Sequence, residues 1–133
     1  VEYQEFITHV QSLAQSNSRE ETEGAIRATL ETIKELIPSD EAQELAAQLP
    51  QELGESLRGK EEKLSQPFHL LEFIERTSQK ENIEPTMVVI HVRAVFAVLQ
   101  NALTPERFSK FHTHFPHDYE ELFPVSPITQ ISA

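Results

Sequence analysis

Residues 84–103 read EPTMVVIHVRAVFAVLQNAL. Val88, Val92, Val95, Phe96, Leu99 and Leu103 fall at i, i+4, i+7, i+8, i+11 and i+15, which puts them on one face of an α-helix. Residues 18–37, SREETEGAIRATLETIKELI, carry the same stripe 66 positions earlier as Thr22, Ile26, Thr29, Leu30, Ile33 and Ile37. Those entries are smaller or more polar. Arg93-Ala94 recurs in the same register as Arg27-Ala28. The chain therefore reads as one helical unit written twice, with this helix central in each copy.

Other matches fall in line. Glu5-Phe6-Ile7 recurs as Glu72-Phe73-Ile74 at an offset of 67, and Leu49-Pro50 pairs with Phe115-Pro116 at an offset of 66. The one-residue difference falls in the loop after each first helix, where insertions are tolerated. The first helix is expected from about Glu2 to Gln15, with Phe6, Val10 and Leu13 as its apolar line. Ser18 followed by Glu21 has capping-box spacing and starts the second helix. Pro38-Ser39-Asp40 makes a turn, with Ser39 or Asp40 as N-cap of a short third helix. Pro50 opens a brief fourth, Gln51 to Leu57. A charged linker is expected over 58–66. The second unit then starts at a helix-opening Pro67, turns at Asn82 to Pro85, restarts at Thr104-Pro105-Glu106 and again at Pro116, and ends near Phe123. Residues 124–133 carry no charged side chain and read as an extended or disordered tail.

Composition narrows the class. The 133 residues are 38% hydrophobic and 25% charged, with only three glycines and no strand-like alternation, so the expected fold is all-α: two similar four-helix units, 1–57 and 67–123, packed into one bundle-like domain. The net charge of −11 disfavours nucleic acid and anionic membranes as partners. Absence of cysteine excludes disulfides, thiolate metal sites and a Cys nucleophile. The longest apolar run, Met87 to Leu99, contains His91 and Arg93 and is too short to span a bilayer. The expected setting is the cytoplasm.

The aligned copies resemble the bacterial domain-of-unknown-function family 2267. The features that carry the resemblance are Glu5-Phe6, Arg27-Ala28-Thr29-Leu30 and the corner Leu49-Pro50-Gln51-Glu52-Leu53. In the second unit they are Glu72-Phe73, Arg93-Ala94-Val95-Phe96 and Phe115-Pro116-His117-Asp118-Tyr119. The resemblance spans about residues 1–123. It implies an all-helical tandem-repeat fold and supplies no catalytic residue.

Candidate chemistry is sparse. His112, His114 and His117, with Asp118 and Glu120 nearby, are the one ligand-like cluster, of a kind that suits zinc, copper or nickel. Residues two apart on a helix do not share a face, and Pro116 breaks the segment, so these read as surface and turn histidines. His91 reads as a histidine at the edge of the apolar stripe, satisfied by a polar neighbour. Arg27 and Arg93 read as structural, each linked to a carboxylate or to helix-end carbonyls in its own unit, and Pro50 and Pro116 as turn-setting. No Gly-x-Ser-x-Gly or phosphate-cradling glycine loop is present. The second unit is rich in aromatics, and Phe108, Phe111, Tyr119 and Phe123 are the candidate contact residues. The sequence thus favours a non-enzymatic protein-interaction or scaffolding module, monomer or homodimer, with no cofactor and another protein as partner. The alternative is a small-molecule or cofactor carrier with a pocket between the units, anchored by His91 or the His112–His117 cluster.

Overall fold

The computed structural model describes residues 2–59 and 67–123. The expectations for residues 60–66 of the linker and for the 124–133 tail lie outside the described residues. Seven α-helices and one 3-10 helix follow in order: α1 (Tyr3–Ala14), α2 (Arg19–Leu36), α3 (Ser39–Gln48), α4 (Gln51–Gly54), α5 (Leu70–Glu81), α6 (Pro85–Ala102), α7 (Pro105–His112) and η1 (His117–Leu122). The all-α expectation holds, with no strand among the described residues. Helices α2 and α6 are both 18 residues long and begin 66 apart, while α1 and α5 are both 12 residues long and begin 67 apart.

Every member of both stripes is buried, and one hydrophobic cluster takes residues from both halves of the chain. The long helices α2 and α6 pack on each other. Helix α1 lies against α2 and α6, and α5 lies against α2 and α6 in turn. Helix α3 meets α7, again across the halves. Of the buried threonines of α2, Thr22 and Thr32 bond within their own helix, whereas Thr29 Oγ1 has no hydrogen-bond partner among the described residues. Thr22 and Thr32 donate their hydroxyls to the carbonyls of Ser18 (3.0 Å) and Ala28 (2.8 Å) in their own helix. Thr77 of α5 donates to Phe73 O, and its hydroxyl lies 2.9 Å from that of Thr32, a buried polar link between α2 and α5.

Several boundaries differ from the sequence reading, each for a physical reason. Helix α5 starts at Leu70, not Pro67. The Asp118 carboxylate accepts the Leu70 N–H at 3.0 Å, and the Tyr119 hydroxyl donates to Phe68 O at 2.5 Å, so residues 67–69 are held outside the helix. Pro50 and Pro116 stand at the N-cap position of α4 and η1, where their carbonyls accept from Leu53 and Tyr119; Pro85 and Pro105 are the prolines that open their helices. Pro38 takes the N-cap place expected of Ser39 or Asp40. Leu13 is 57% exposed, because Phe6, Ile7, Val10 and Ala14 form the buried face of α1.

Helices α1 and α5 end alike. Gln15 (φ 52°) and Asn82 (φ 58°) adopt the left-handed conformation, and the next N–H reaches back to Gln11 O and Ser78 O respectively. Asparagine tolerates that conformation, whereas glutamine has no local hydrogen bond to favour it. Gln15 is exposed. Gln15→Gly is expected to raise unfolding stability by about 1 kcal/mol in a urea titration, with unchanged helicity by circular dichroism.

Candidate functional site

Two of the clefts formed by the described residues stand in matching sequence positions. One is lined by Leu13 of α1 and by Ile90, Arg93, Ala94 and Ala97 of α6, and holds about 290 Å³. The other is lined by Glu20, Glu21, Gly24, Arg27, Ala28 and Glu31 of α2 with Lys80, Glu81 and Ile83, and is also about 290 Å³. Adding 66 to Gly24, Arg27, Ala28 and Glu31 gives Ile90, Arg93, Ala94 and Ala97. Adding 67 to Leu13 gives Lys80. The arginine and the alanine are kept in both, and everything around them differs. The α1–α6 cleft is apolar, and the α2–α5 cleft is charged.

The apolar cleft has a local origin. Met87, Ile90, Ala94 and Ala97 fall at i, i+3, i+7 and i+10, a second apolar line beside the core stripe of α6. Helix α6 has a mean hydropathy of 1.2, long and apolar enough by composition to cross a membrane, yet its core stripe faces α1, α2 and α5. Along this outer line Ala94 is buried and Ala97 half-buried, whereas the N-terminal half of the line is open. Met87 is 45% and Ile90 44% exposed.

A scan of protein families matches residues 3–122 to the model of uncharacterized conserved proteins DUF2267. The chain belongs to the DUF2267 family. No curated protein matches it. In this DUF2267 chain the carboxylate link expected of each arginine is found among the described residues for Arg93 alone. Both are exposed. Arg93 lies 3.8 Å from Glu121, and Arg27 has no ion pair among the described residues. An exposed pair at that distance contributes little. Each arginine instead forms part of a cleft wall.

The histidines part company. His112 lies 2.8 Å from Glu120 and stacks on Phe123, His114 faces the buried Glu41 at 3.6 Å, and His117 is exposed. No metal-holding group of three acids or histidines exists among the described residues. The contact residues proposed from sequence are corrected: Phe108, Phe111, Tyr119 and Phe123 are all buried. Their rings pack edge-on or tilted with one another and with Phe96 and Phe115, so they build the core. Leu13, Met87 and Ile90 are exposed in their stead. The signal was present in sequence, since α6 is apolar on its outer side as well as its inner one.

His91 is buried, and its polar neighbour is Glu81. Nδ1 lies 2.8 Å from Glu81 Oε1, and both side chains are almost fully enclosed. The residues 66 and 67 positions earlier are Ala25 and Ala14, so an alanine pair stands where the second half has an ion pair. The hydrogen bond to Glu81 raises the His91 pKa above its ordinary 6.5. Burial opposes that shift, and the charges of Glu81 and of Glu21 on α2 add to it. His91 does not line either cleft.

Gly24 lies in the interior of α2 and in the cleft wall. A Cβ there would meet nothing, and no positive φ requires glycine. A glycine at such a position weakens a helix by about 0.5–1 kcal/mol relative to alanine.

The raised pKa of His91 sets the sign of a pH effect. Stability from the Glu81 pair is fully present below pH 6.5 and is lost as pH rises through the higher folded-state value. Urea midpoints are expected to fall as pH rises above 6.5 in the native chain and to lose that component in Glu81→Ala. That variant should also be less stable by about 1.5–3 kcal/mol at pH 6, because it removes the charge-assisted hydrogen bond that holds the buried imidazole.

Proposed function

We propose that this DUF2267 protein is a non-enzymatic protein-interaction module of the cytoplasm that docks a partner along the α1–α6 cleft. The observation that carries the reading is the exposed apolar line of Leu13, Met87 and Ile90 beside Ala94 and Ala97. Apolar surface left in water forgoes about 25 cal/mol for each Å² that a partner would cover. Such a face, rimmed by polar residues, marks a contact site on a small domain. Arg93 at its edge supplies one charge for orientation. The net charge of −11 supports a protein partner over nucleic acid or an anionic membrane. Neither a cofactor nor a catalytic residue is part of this reading. The module is a monomer or a homodimer when free.

Native mass spectrometry of the protein taken from its source cells at low salt tests the proposal. A second polypeptide is expected on the native chain and is expected to be lost from Ile90→Asp. Ile90 is half exposed, so that variant should fold with stability within about 0.5 kcal/mol of the parent. A bare chain, or a partner that survives Ile90→Asp, overturns the reading.

A further inference from the structure

The described residues end beside the α1–α6 cleft. Phe123 is the last of them, and its ring packs on Phe96 of α6 with centroids 5.0 Å apart. Two residues earlier, Glu121 lies 3.8 Å from Arg93, the arginine of the cleft wall. Residues 124–133, PVSPITQISA, therefore set out from the rim of that cleft.

We propose that residues 124–133 lie along the α1–α6 cleft of their own chain and keep it closed until a partner displaces them. Composition, reach and size each favour this occupant. In a chain that is 25% charged this segment has no charged side chain, and no acid lines the cleft among the described residues. Val125, Ile128 and Ile131 recur at every third position, as do Pro124 and Pro127. Polyproline II has three residues per turn, so the three aliphatic side chains share one edge. The outer line of α6 from Ala97 to Met87 runs about 15 Å. Ten residues of polyproline II extend about 31 Å, enough to cross from Phe123 and follow it. The open surface is small. Leu13, Met87 and Ile90 are about half exposed and offer on the order of a few hundred Å² together. A standard interface takes about 800 Å² from each partner, so one extended segment fits this surface and the folded face of a second copy does not. Tethered beside its site, the segment acts at an effective concentration of about millimolar, so even a weak contact fills much of the cleft. A partner then binds with its affinity reduced by the fraction of chains whose cleft is open. This regulatory sense rests on the docking role proposed for the cleft; the contact itself does not.

The test uses the full chain. It has no cysteine, so Thr129→Cys carries a nitroxide at a single place. The amide signals of Leu13, Ile90, Arg93 and Ala94 are expected to lose most of their intensity, and to regain it when Ile128→Asp is added. An equal mixture of tagged chain and untagged, isotope-labelled chain is expected to show no loss. The proposal is overturned by signals that the tag leaves intact, by a loss that persists with Ile128→Asp, or by a loss that also appears in the mixture, which assigns the cleft to another copy's segment. Native mass spectrometry tests the docking role separately. A segment held in the cleft of a chain without a partner supports this contact and sinks that role. A partner on a chain whose segment leaves the cleft untouched does the reverse. Where both are seen, Ile128→Asp is expected to raise the partner-bound share, and an unchanged share overturns the regulatory part.

Discussion

The ring of Phe96 is the fixed point of the second half of the chain. Phe73, Phe111, Phe115 and Phe123 lie with centroids 5.0 to 6.2 Å from it, so one side chain of α6 holds α5, α7 and both flanks of η1. Most of these rings meet edge to face, the arrangement that aromatic quadrupoles favour. Tyr119 closes the cluster. Its ring packs on Phe73 and Phe115 while its hydroxyl reaches Phe68 O, and burial pushes its pKa well above the ordinary phenol value. The residue 66 positions before Phe96 is Leu30, so the first half has no such hub and fills its core with aliphatic and threonine side chains around a single buried phenylalanine, Phe6.

Charge completes what packing begins. Glu35 on α2 receives Arg76 and Lys80 of α5. Burial pushes its carboxyl pKa up, but the hydrogen bonds from Lys80 and Arg76 outweigh this and hold it below the ordinary carboxylate value. Arg76 also pairs with Glu72 in its own helix and lies over the Phe68 ring at 3.9 Å. Glu44 on α3 receives Arg107 at 2.6 Å and Lys110 at 3.2 Å from α7, with buried Glu41 behind. Both seams join one half of the chain to the other. With 11 basic residues against 22 acidic ones, placing four bases in these seams leaves the remaining surface more uniformly acidic.

Periodicity made the helices legible, because a buried stripe has to recur at 3.6 residues whatever the tertiary arrangement. Caps were legible where a side chain does the capping, as at Ser18 and Thr104, whose hydroxyls accept from Glu21 and Arg107. The start of α5 was not, because its first N–H is capped by Asp118 from 48 residues away. The sites followed the same division. The recurrence of Arg27 and Arg93 was visible in sequence, but only the packing of α1 on α6 and α5 on α2 reveals that each lines a cleft. Periodicity does not say which of two apolar lines on one helix faces inward, and this is why Leu13, three and seven residues on from Val10 and Phe6, reads as core although the packing turns it outward.

The pairing of α1 with α6 has a consequence for synthesis on the ribosome. The last residue of α1 is Ala14, and the first of α6 is Pro85. Translation at about 5–20 residues per second therefore leaves the apolar face of α1 without one of its native neighbours for several seconds. The Thr32–Thr77 link and the seam from Glu44 to Arg107 are closed only after most of the chain has emerged. A nascent first half is thus a species with unfinished burial, and the excess of acid in residues 1–66, 14 acids against 6 bases, gives it a repulsive surface that discourages one such chain from associating with the next.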